Sequence, residues 1–313
     1  MILITGATGF VGKALLQRLL ADDESRRLVV AARRGGQRWP EQVLPIVTGD
    51  LNSAIVWSIA LKGVAVVVHC AARVHVMQDT EADPLTAFRA VNVDGTLNLA
   101  HQAAVAGVKR FVFVSSVKVN GESTSPGRAF AEADVPNPQD AYGQSKHEAE
   151  QGLRKLSADT GIEVVIIRPP LVYGPGVKAN FFVLMCAVQR GWPLPLGAVH
   201  NQRSLMALDN LVDFIVTCIT HPQAANQTFL VSDGQDLSTT DLVRGMAQSA
   251  GVPARLLPVP LWALQGGASL LGKRDAVQRL CGNLQVDMSK ARSLLGWVPP
   301  VSVEEGLRRA MAV

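Results

Sequence analysis

The sequence contains few cysteines, and their spacing matches no common disulfide or metal framework. They lie far apart, none in a Cys-x-x-Cys pair, at Cys70, Cys186, Cys218 and Cys281. Each has apolar neighbours in sequence, which favours buried, reduced thiols over disulfides or a zinc site. We therefore expect no bound metal and a reducing compartment, the cytoplasm.

Long apolar runs and basic clusters are also missing. The most apolar stretch, residues 64–72, has the length of a strand and is too short to span a membrane. Met1 leads directly into the apolar Ile2-Leu3-Ile4, which leaves no room for the basic segment of a signal peptide. The net charge of +4 is spread along the chain, so neither a nucleic acid nor a membrane is expected as a partner.

Strand-like and helical segments alternate through the first half of the 313-residue chain. Helical patterns separate the apolar runs, and the longest helices are predicted over residues 84–106 and 140–158. This alternation predicts an α/β fold with a Rossmann-type doubly wound parallel sheet, in which ligands bind at the carboxyl ends of the strands. Strands are predicted at residues 1–5, 28–32, 43–47, 64–69, 111–114 and 164–167.

Beyond Pro175 the regular alternation fades. We expect residues 1–170 to form the dinucleotide-binding domain, and residues 171–313 to form a smaller C-terminal α+β lobe that binds substrate. A strand near 226–231 is a candidate to return to the main sheet. Another helix is predicted to be capped by Asp209, and further helices are predicted at 180–189, 239–250, 262–271, 287–295 and 303–311.

A glycine-rich turn follows the first predicted strand and precedes a helix. Gly6, Gly9 and Gly12 have the spacing Gly-x-x-Gly-x-x-Gly in that strand–turn–helix context. Gly6 permits a tight turn, Gly9 lets backbone N–H groups approach a diphosphate, and Gly12 lets the helix pack against the strand. The turn therefore predicts a dinucleotide site, to which Thr8, Phe10 and Val11 also belong.

Arginines follow the second predicted strand, where a site that prefers NAD would carry a carboxylate. Arg33 and Arg34 suit the 2′-phosphate of NADP(H), which is therefore favoured, while NAD(H) stays possible. Asp50 and Leu51 follow the third strand and are predicted to meet the adenine, although Asp50 could equally cap a helix. After the fourth strand, the small residues Ala71 and Ala72 let a cofactor lie against the backbone.

A tyrosine and a lysine stand four positions apart on a predicted helix. This spacing puts Tyr142 and Lys146 on one helix face, where the ammonium is expected to lower the pKa of the phenol. Tyr142 is then a candidate general acid/base beside a hydride acceptor. Ser115 and Ser116 close a strand just upstream.

Together, the glycine turn, Ser116 and Tyr142-x-x-x-Lys146 resemble the extended short-chain dehydrogenase/reductase family, and within it the nucleotide-sugar 4-epimerases and 4-ketoreductases. The resemblance also covers Asn92-Val-Asp-Gly-Thr96, Arg168-Pro-Pro-x-x-Tyr-Gly-Pro175 and a segment starting at Asp287. It implies that Tyr142 exchanges a proton with the sugar 4-oxygen, that Lys146 also holds the nicotinamide ribose, and that Ser116 hydrogen-bonds the same oxygen. It further assigns cofactor contacts to Asn92, Pro169 and Val172.

The same resemblance implies a nucleotide-sugar substrate, with UDP the expected nucleotide. Asn180 would meet the diphosphate, and Arg203 and Arg279 would contact the nucleotide. Lys118 and Asn120, in the turn after Ser116, would select the sugar. Members of the family often pair through two long helices, so a homodimer is expected through the helices predicted at 84–106 and 140–158.

Three functions are left open by the sequence. A 4-keto-sugar reductase is favoured, because a net reduction consumes NADPH and arginines follow the second strand. A UDP-glucose or UDP-N-acetylglucosamine 4-epimerase with tightly bound NAD is the first alternative. A non-catalytic NADP(H)-binding regulatory protein is the second. Dehydration is not expected, since Val117 and Lys118 stand where dehydratases of the family carry acids.

Overall fold

The computed structural model describes residues 1–74, 83–270 and 274–312. Seven strands form one parallel sheet in the order β3-β2-β1-β4-β5-β6-β9, and two more form a small parallel sheet, β7-β8. The strands are β1 (Ile2–Thr5), β2 (Leu28–Ala32), β3 (Val43–Val47), β4 (Val66–His69), β5 (Arg110–Val114), β6 (Glu163–Arg168), β7 (Leu171–Tyr173), β8 (Leu205–Ala207) and β9 (Thr228–Leu230).

Helices cover both faces of the large sheet. They are α1 (Phe10–Asp22), α2 (Pro84–Arg89), α3 (Thr96–Val105), α4 (Ala141–Thr160), α5 (Ala179–Gln189), α6 (Leu208–Thr220), α7 (Thr239–Ser249), α8 (Leu261–Leu270), α9 (Arg274–Cys281), α10 (Ser289–Leu295) and α11 (Val303–Met311). The prediction of a Rossmann-type doubly wound fold is confirmed.

The central strands are apolar along their whole length because both of their faces are covered. On one face, Leu15 and Leu19 of α1 pack with Leu211 and Phe214 of α6. On the other, α3 and α4 pack on the sheet through Leu99, Ala103, Ala149 and Leu153. The strand order reverses between β1 and β4, and such a switch point opens a crevice at the carboxyl ends of the strands.

The long helix predicted over residues 84–106 is interrupted. Between α2 and α3 the chain forms a π-helical stretch, Ala90–Gly95. The Asn92 side chain donates to the backbone carbonyl of Arg73 and to the Ser145 hydroxyl, at 3.0 Å each. These bonds tie the π-helical stretch to the loop after β4 and to α4, and π-helical turns are frequent at functional sites.

The second half of the chain differs from the sequence prediction in several places. One expectation agrees with the structure: β9 lies within the predicted segment 226–231 and returns to the main sheet beside β6. Asp209 does not cap a helix, since α6 begins at Leu208 and the Asp209 carboxylate lies in its first turn, where the helix dipole favours it. β7 and α9 were not predicted, and the predicted helix end at Leu271 lies outside the described residues.

Within the described ranges, no helix is both long enough and apolar enough to cross a membrane. The same ranges hold no cluster of three or more His, Cys, Asp or Glu side chains suited to a metal ion. All four cysteines have free thiols.

Candidate active site

The glycine turn after β1 is closely packed against the end of β4. Gly6 has a φ of +70°, and a Cβ there would lie 2.7 Å from the backbone nitrogen of Ala71. A Cβ on Gly12 would lie only 2.2 Å from the Gly6 carbonyl oxygen. Both positions therefore require glycine. The Gly9 N–H donates to the Gly6 carbonyl at 2.9 Å and closes the turn.

Helix α1 begins directly after this glycine turn, with the free N–H groups of its first residues at that end. Gly9 is the N-cap, and no side chain caps the helix. Thr8 and Gly9 are exposed, whereas Phe10 and Val11 are partly buried and pack against the core. An uncapped helix N-terminus beside an exposed glycine can hold the diphosphate of a dinucleotide.

Exposed charges stand at the end of the sheet next to this turn. Arg33 and Arg34 follow β2, and the Arg33 guanidinium lies 3.9 Å from the Asp50 carboxylate with both side chains largely in solvent. An ion pair this exposed contributes little to stability. Leu51 is partly buried and lies against Gly95, while Ala71 and Ala72 line the end of β4.

Ser116 and Tyr142 meet above the carboxyl end of β5. Ser116 precedes a short 3-10 turn and accepts a hydrogen bond from the Lys118 N–H at 3.2 Å. Tyr142 lies in the first turn of α4, and an interaction with the Ser116 side chain acts to lower the pKa of its phenol, so the two side chains lie close together. The rings of Phe88 and Tyr142 pack in an edge-to-face arrangement, with their centroids 6.1 Å apart. The two predicted oxygen-directed groups are thus together.

Lys146 lies one helical turn beyond Tyr142 and is almost completely buried. Its ammonium donates to the Val114 carbonyl at 2.8 Å and lies 4.4 Å from the Phe113 ring centroid and 6.0 Å from that of Tyr142. Burial lowers its pKa to about 8, although Cys70 and Glu150 oppose that shift.

The prediction of a lowered pKa for Tyr142 is wrong. Burial, followed by the charge of Asp140, raises the pKa of the phenol above its ordinary value, and the hydrogen bond with Ser116 only partly opposes the rise. The Lys146 ammonium is directed at the Val114 carbonyl rather than at the phenolic oxygen.

A buried polar network behind these residues was missed from the sequence. Glu150 accepts from the Ser115 hydroxyl at 2.6 Å and pairs with Arg168. Arg168 also donates to the Asn120 side chain at 2.9 Å. Asn120, which was predicted to select the sugar, is instead buried and hydrogen-bonded within this network. The signal in the sequence was the spacing Tyr-x-x-x-Lys-x-x-x-Glu, which puts Glu150 one turn beyond Lys146 on the same face.

Two predicted nicotinamide contacts lie at the end of β6 and in β7. The carbonyl of Pro169 accepts from the Val117 N–H at 3.0 Å, which holds the end of β6 against the turn after Ser116. Val172 is partly buried and packs against the core. Asn92, also predicted at the cofactor, is buried and accepts from the Arg73 N–H at 2.8 Å, so it supports the loop after β4.

The residues predicted on the substrate side are spread over the second half of the chain and the turn after Ser116. Asn180 is exposed in the first turn of α5, and Arg279 is exposed on α9. Arg203 donates to the Gly282 carbonyl at 3.0 Å, and burial lowers its pKa. The Lys118 ammonium contacts the carboxylates of Asp140 and Glu122.

A cavity of about 640 Å³ lies between α8 and α9, and Cys281 and Gly282 form part of its wall. Because the Gly282 carbonyl accepts from Arg203, the cavity adjoins the guanidinium. Burial lowers the pKa of Arg203, and the charge of Glu122, which pairs with Lys118 in the turn after Ser116, only partly opposes this effect.

Comparison with known proteins decides the family. The model of the NAD dependent epimerase/dehydratase family matches residues 2–232. The chain belongs to this family. It is an extended short-chain dehydrogenase/reductase and an NAD(P)-dependent enzyme.

Two proteins that are similar to this chain along almost its whole length are 4-epimerases. The chain is 52% identical over 309 residues to a UDP-glucose 4-epimerase of Vibrio cholerae, covering 98% of this chain and 93% of that protein. It is 30% identical over 327 residues to the N-acetyl-α-D-glucosaminyl-diphospho-ditrans,octacis-undecaprenol 4-epimerase of Escherichia coli O157:H7, covering 99% and 94%.

The chain also shares its fold with a solved structure. The UDP-glucuronic acid 4-epimerase of Bacillus cereus, in complex with NAD, superposes with a TM-score of 0.79 at 22% identity, covering 99% of this chain and 95% of that one. At this identity the likeness shows the fold alone.

Proposed function

We propose that this enzyme is a UDP-hexose 4-epimerase that works with NAD. The observation that carries the proposal is the meeting of Ser116 and Tyr142 beside Lys146, in a chain 52% identical to a UDP-glucose 4-epimerase along almost its whole length. The reductase favoured from the sequence has less support, because the Vibrio cholerae and Escherichia coli relatives are both 4-epimerases.

The chemistry requires a proton-transfer group next to a hydride acceptor. A bound nicotinamide dinucleotide supplies hydride transfer at C4 of the sugar. Tyr142 accepts the proton of the 4-hydroxyl and returns it when the opposite configuration forms. Ser116, whose side chain lies close to that of Tyr142, donates to the same sugar oxygen and stabilises it as charge develops. Lys146 adds positive charge on the same helix face.

The glycine turn fits the diphosphate of such a cofactor. The close approaches at Gly6 and Gly12 leave the exposed Gly9 and the uncapped start of α1 facing outward, and these are the features an anionic diphosphate needs. Tyr142 and Lys146 lie at the carboxyl edge of the same sheet, which is the edge where a dinucleotide would bind.

The substrate nucleotide is assigned to the second half of the chain. Arg203 offers a mostly buried guanidinium beside the cavity between α8 and α9, and burial strengthens its interaction with a diphosphate. Asn180 at the start of α5 and Arg279 on α9 are the other candidate contacts.

A 4-keto-sugar reductase that uses NADPH is the second candidate, and one observation favours it. Arg33 and Arg34 are exposed after β2, where an NAD site would carry a carboxylate. A guanidinium there can bind a 2′-phosphate bidentately. The two functions differ in their use of cofactor, since an epimerase regenerates its NAD in every turnover and a reductase consumes NADPH.

The purified enzyme should be incubated with UDP-glucose, and in parallel with UDP-N-acetylglucosamine, without added reductant. The epimerase proposal predicts conversion to the corresponding galacto-sugar and none by Tyr142→Phe. Absence of conversion, with NADPH oxidised only when a UDP-4-keto-sugar is added, would establish the reductase. Tight dinucleotide binding without turnover of any of these sugars would favour a non-catalytic regulatory protein.

A further inference from the structure

The Lys118 side chain lies between two carboxylates. Its ammonium is 2.5 Å from an Asp140 oxygen and 2.8 Å from a Glu122 oxygen. About a quarter of each of these three side chains is exposed. Although burial opposes the shift, hydrogen bonds to Asp140 and Glu122 raise the pKa of Lys118. The charge of Lys118 is thus engaged within the protein.

Asp140 has a second partner at the start of α4. Its other carboxylate oxygen accepts from the Gly143 N–H at 2.7 Å and caps the helix, two residues before Tyr142. A Cβ on Gly143 would lie 2.8 Å from the Lys118 carbonyl oxygen, so the turn carrying Lys118 rests directly on the first turn of α4. The ion pair is therefore held by backbone packing on both sides.

We propose that Lys118 and Asp140 are a positioning pair that sets the proton affinity of Tyr142, with Lys118 neutralising the Asp140 carboxylate rather than binding the sugar. This inference rests on the proton-transfer role of Tyr142 in the proposed function. Lys118 acts through Asp140 and touches no reacting atom.

Charged and polar groups face Tyr142 from several elements. Asp140 is on its own helix, Ser116 lies in the turn after β5, and Lys146 is one turn further along α4. From the loop after β4, the Arg73 guanidinium lies over the Phe88 ring at 5.6 Å, and the Phe88 ring packs against Tyr142. Burial raises the pKa of Tyr142 most, and the charge of Asp140 raises it further.

Breaking the pair from its two sides has opposite consequences. Asp140→Asn removes the negative charge but keeps a good N-cap, so the phenol becomes easier to ionise. Lys118→Met leaves the carboxylate without its neutralising charge, so the phenol becomes harder to ionise. If the salt bridge only stabilised the fold, the two variants would shift the pKa of Tyr142 in the same direction or would leave it unchanged. Glu122→Gln is the matched control, because it also removes a contact of Lys118 but leaves Asp140 paired.

The chain contains only two tyrosines, Tyr142 and Tyr173, so a single phenol can be followed directly. We would incorporate difluorotyrosine, which lowers the pKa of a phenol by several units, and titrate the fluorine resonances of ligand-free protein, with Tyr173→Phe giving the assignment. We expect the titration midpoint of Tyr142 to be lower in Asp140→Asn than in the unsubstituted protein and higher in Lys118→Met. Each difference should be on the order of one pH unit. Glu122→Gln should shift by much less than either.

Coincident midpoints, or shifts of the same sign in both variants, would overturn the proposal. Circular dichroism across the pH range tests whether each variant is folded. If Lys118→Met does not fold, Lys118→Gln takes its place. The titration needs no substrate, so it gives its answer even if no UDP-sugar is turned over. If turnover is found, the pH profile of kcat should shift in the same order.

Discussion

Glu150 and Arg168 form an ion pair that the fold removes almost completely from solvent. Two hydrogen bonds, at 2.5 and 2.9 Å, join the guanidinium to the carboxylate, and the side chains are 0 and 2% exposed. Glu150 lies one turn after Lys146 on α4, and Arg168 ends β6 just before Pro169. The pair therefore ties the helix of the proposed acid/base to the strand end beside the predicted nicotinamide.

Arg168→Met should strongly destabilise the fold. The substitution leaves the Glu150 carboxylate buried without its main counter-charge, which typically costs about 3–5 kcal/mol. Urea denaturation measures the loss. Arg244→Met is the control, because it breaks an exposed pair with Asp241 and should cost no more than about 1 kcal/mol. Equal losses in the two variants would contradict this account of the buried pair.

Tyr142→Phe should abolish most turnover and leave the fold and the cofactor affinity intact. Loss of a general acid/base typically lowers the rate by about 10²–10⁴-fold. The other tyrosine serves as the control. Tyr173 is buried and donates to Asp233 at 2.8 Å, so Tyr173→Phe should lower the free energy of unfolding, by about 1–3 kcal/mol, with the activity of the folded fraction retained. If Tyr142→Phe kept its activity while Tyr173→Phe lost it, Tyr142 would not be the proton-transfer group.

His69 should make the protein sensitive to acid. It is fully buried between the hydroxyls of Thr5 and Thr96, and burial, together with the charge of Lys146, lowers its pKa from 6.5 to about 3. Between these pH values the unfolded chain binds a proton that the folded chain does not. The free energy of unfolding therefore falls with decreasing pH, by about 1.4 kcal/mol per pH unit from this group.

The His69 contribution is isolated by a variant that cannot titrate. His69→Gln should be less stable than the unsubstituted protein at pH 7, and the difference should shrink as the pH is lowered toward 4. Chemical denaturation at several pH values measures it. A difference that stays constant with pH would show that His69 is not held neutral.

Gly9→Ala should weaken dinucleotide binding without a large loss of stability. The added methyl group would lie 3.1 Å from the Gly6 carbonyl, on the exposed side of the turn where a diphosphate has to approach. We expect the Kd for NAD, measured by calorimetry, to rise at least about tenfold, equivalent to about 1.4 kcal/mol. Gly267→Ala, on α8, should leave the Kd unchanged, because among the described residues the new Cβ meets nothing within 4 Å beyond its own stretch of helix.

The sequence predicted local features better than contacts between distant residues. The bounds of β2, β3 and α11 were predicted correctly, because apolar periodicity and turn residues determine them locally. The π-helical stretch at Asn92 was not predicted, since it depends on contacts with Arg73 and Ser145.

Electrostatic relationships at the candidate site were the least predictable. The helix spacing correctly put Tyr142 and Lys146 on one face, but it could not reveal that the Lys146 ammonium turns to the Val114 carbonyl. Lys118 was predicted to meet the sugar, yet its partners Asp140 and Glu122 appear only once the turn after Ser116 packs on α4. Such pairings depend on tertiary structure, so periodicity and local propensity do not encode them.

The central claim, epimerisation at C4 of a UDP-hexose, is tested most directly by NMR of UDP-glucose incubated with the purified enzyme and NAD, with no NADPH present. The account predicts that UDP-galactose forms until the two sugars reach equilibrium, and that the same mixture is reached from UDP-galactose. It is contradicted if UDP-glucose and UDP-N-acetylglucosamine both stay unchanged while a UDP-4-keto-sugar is reduced at the expense of NADPH.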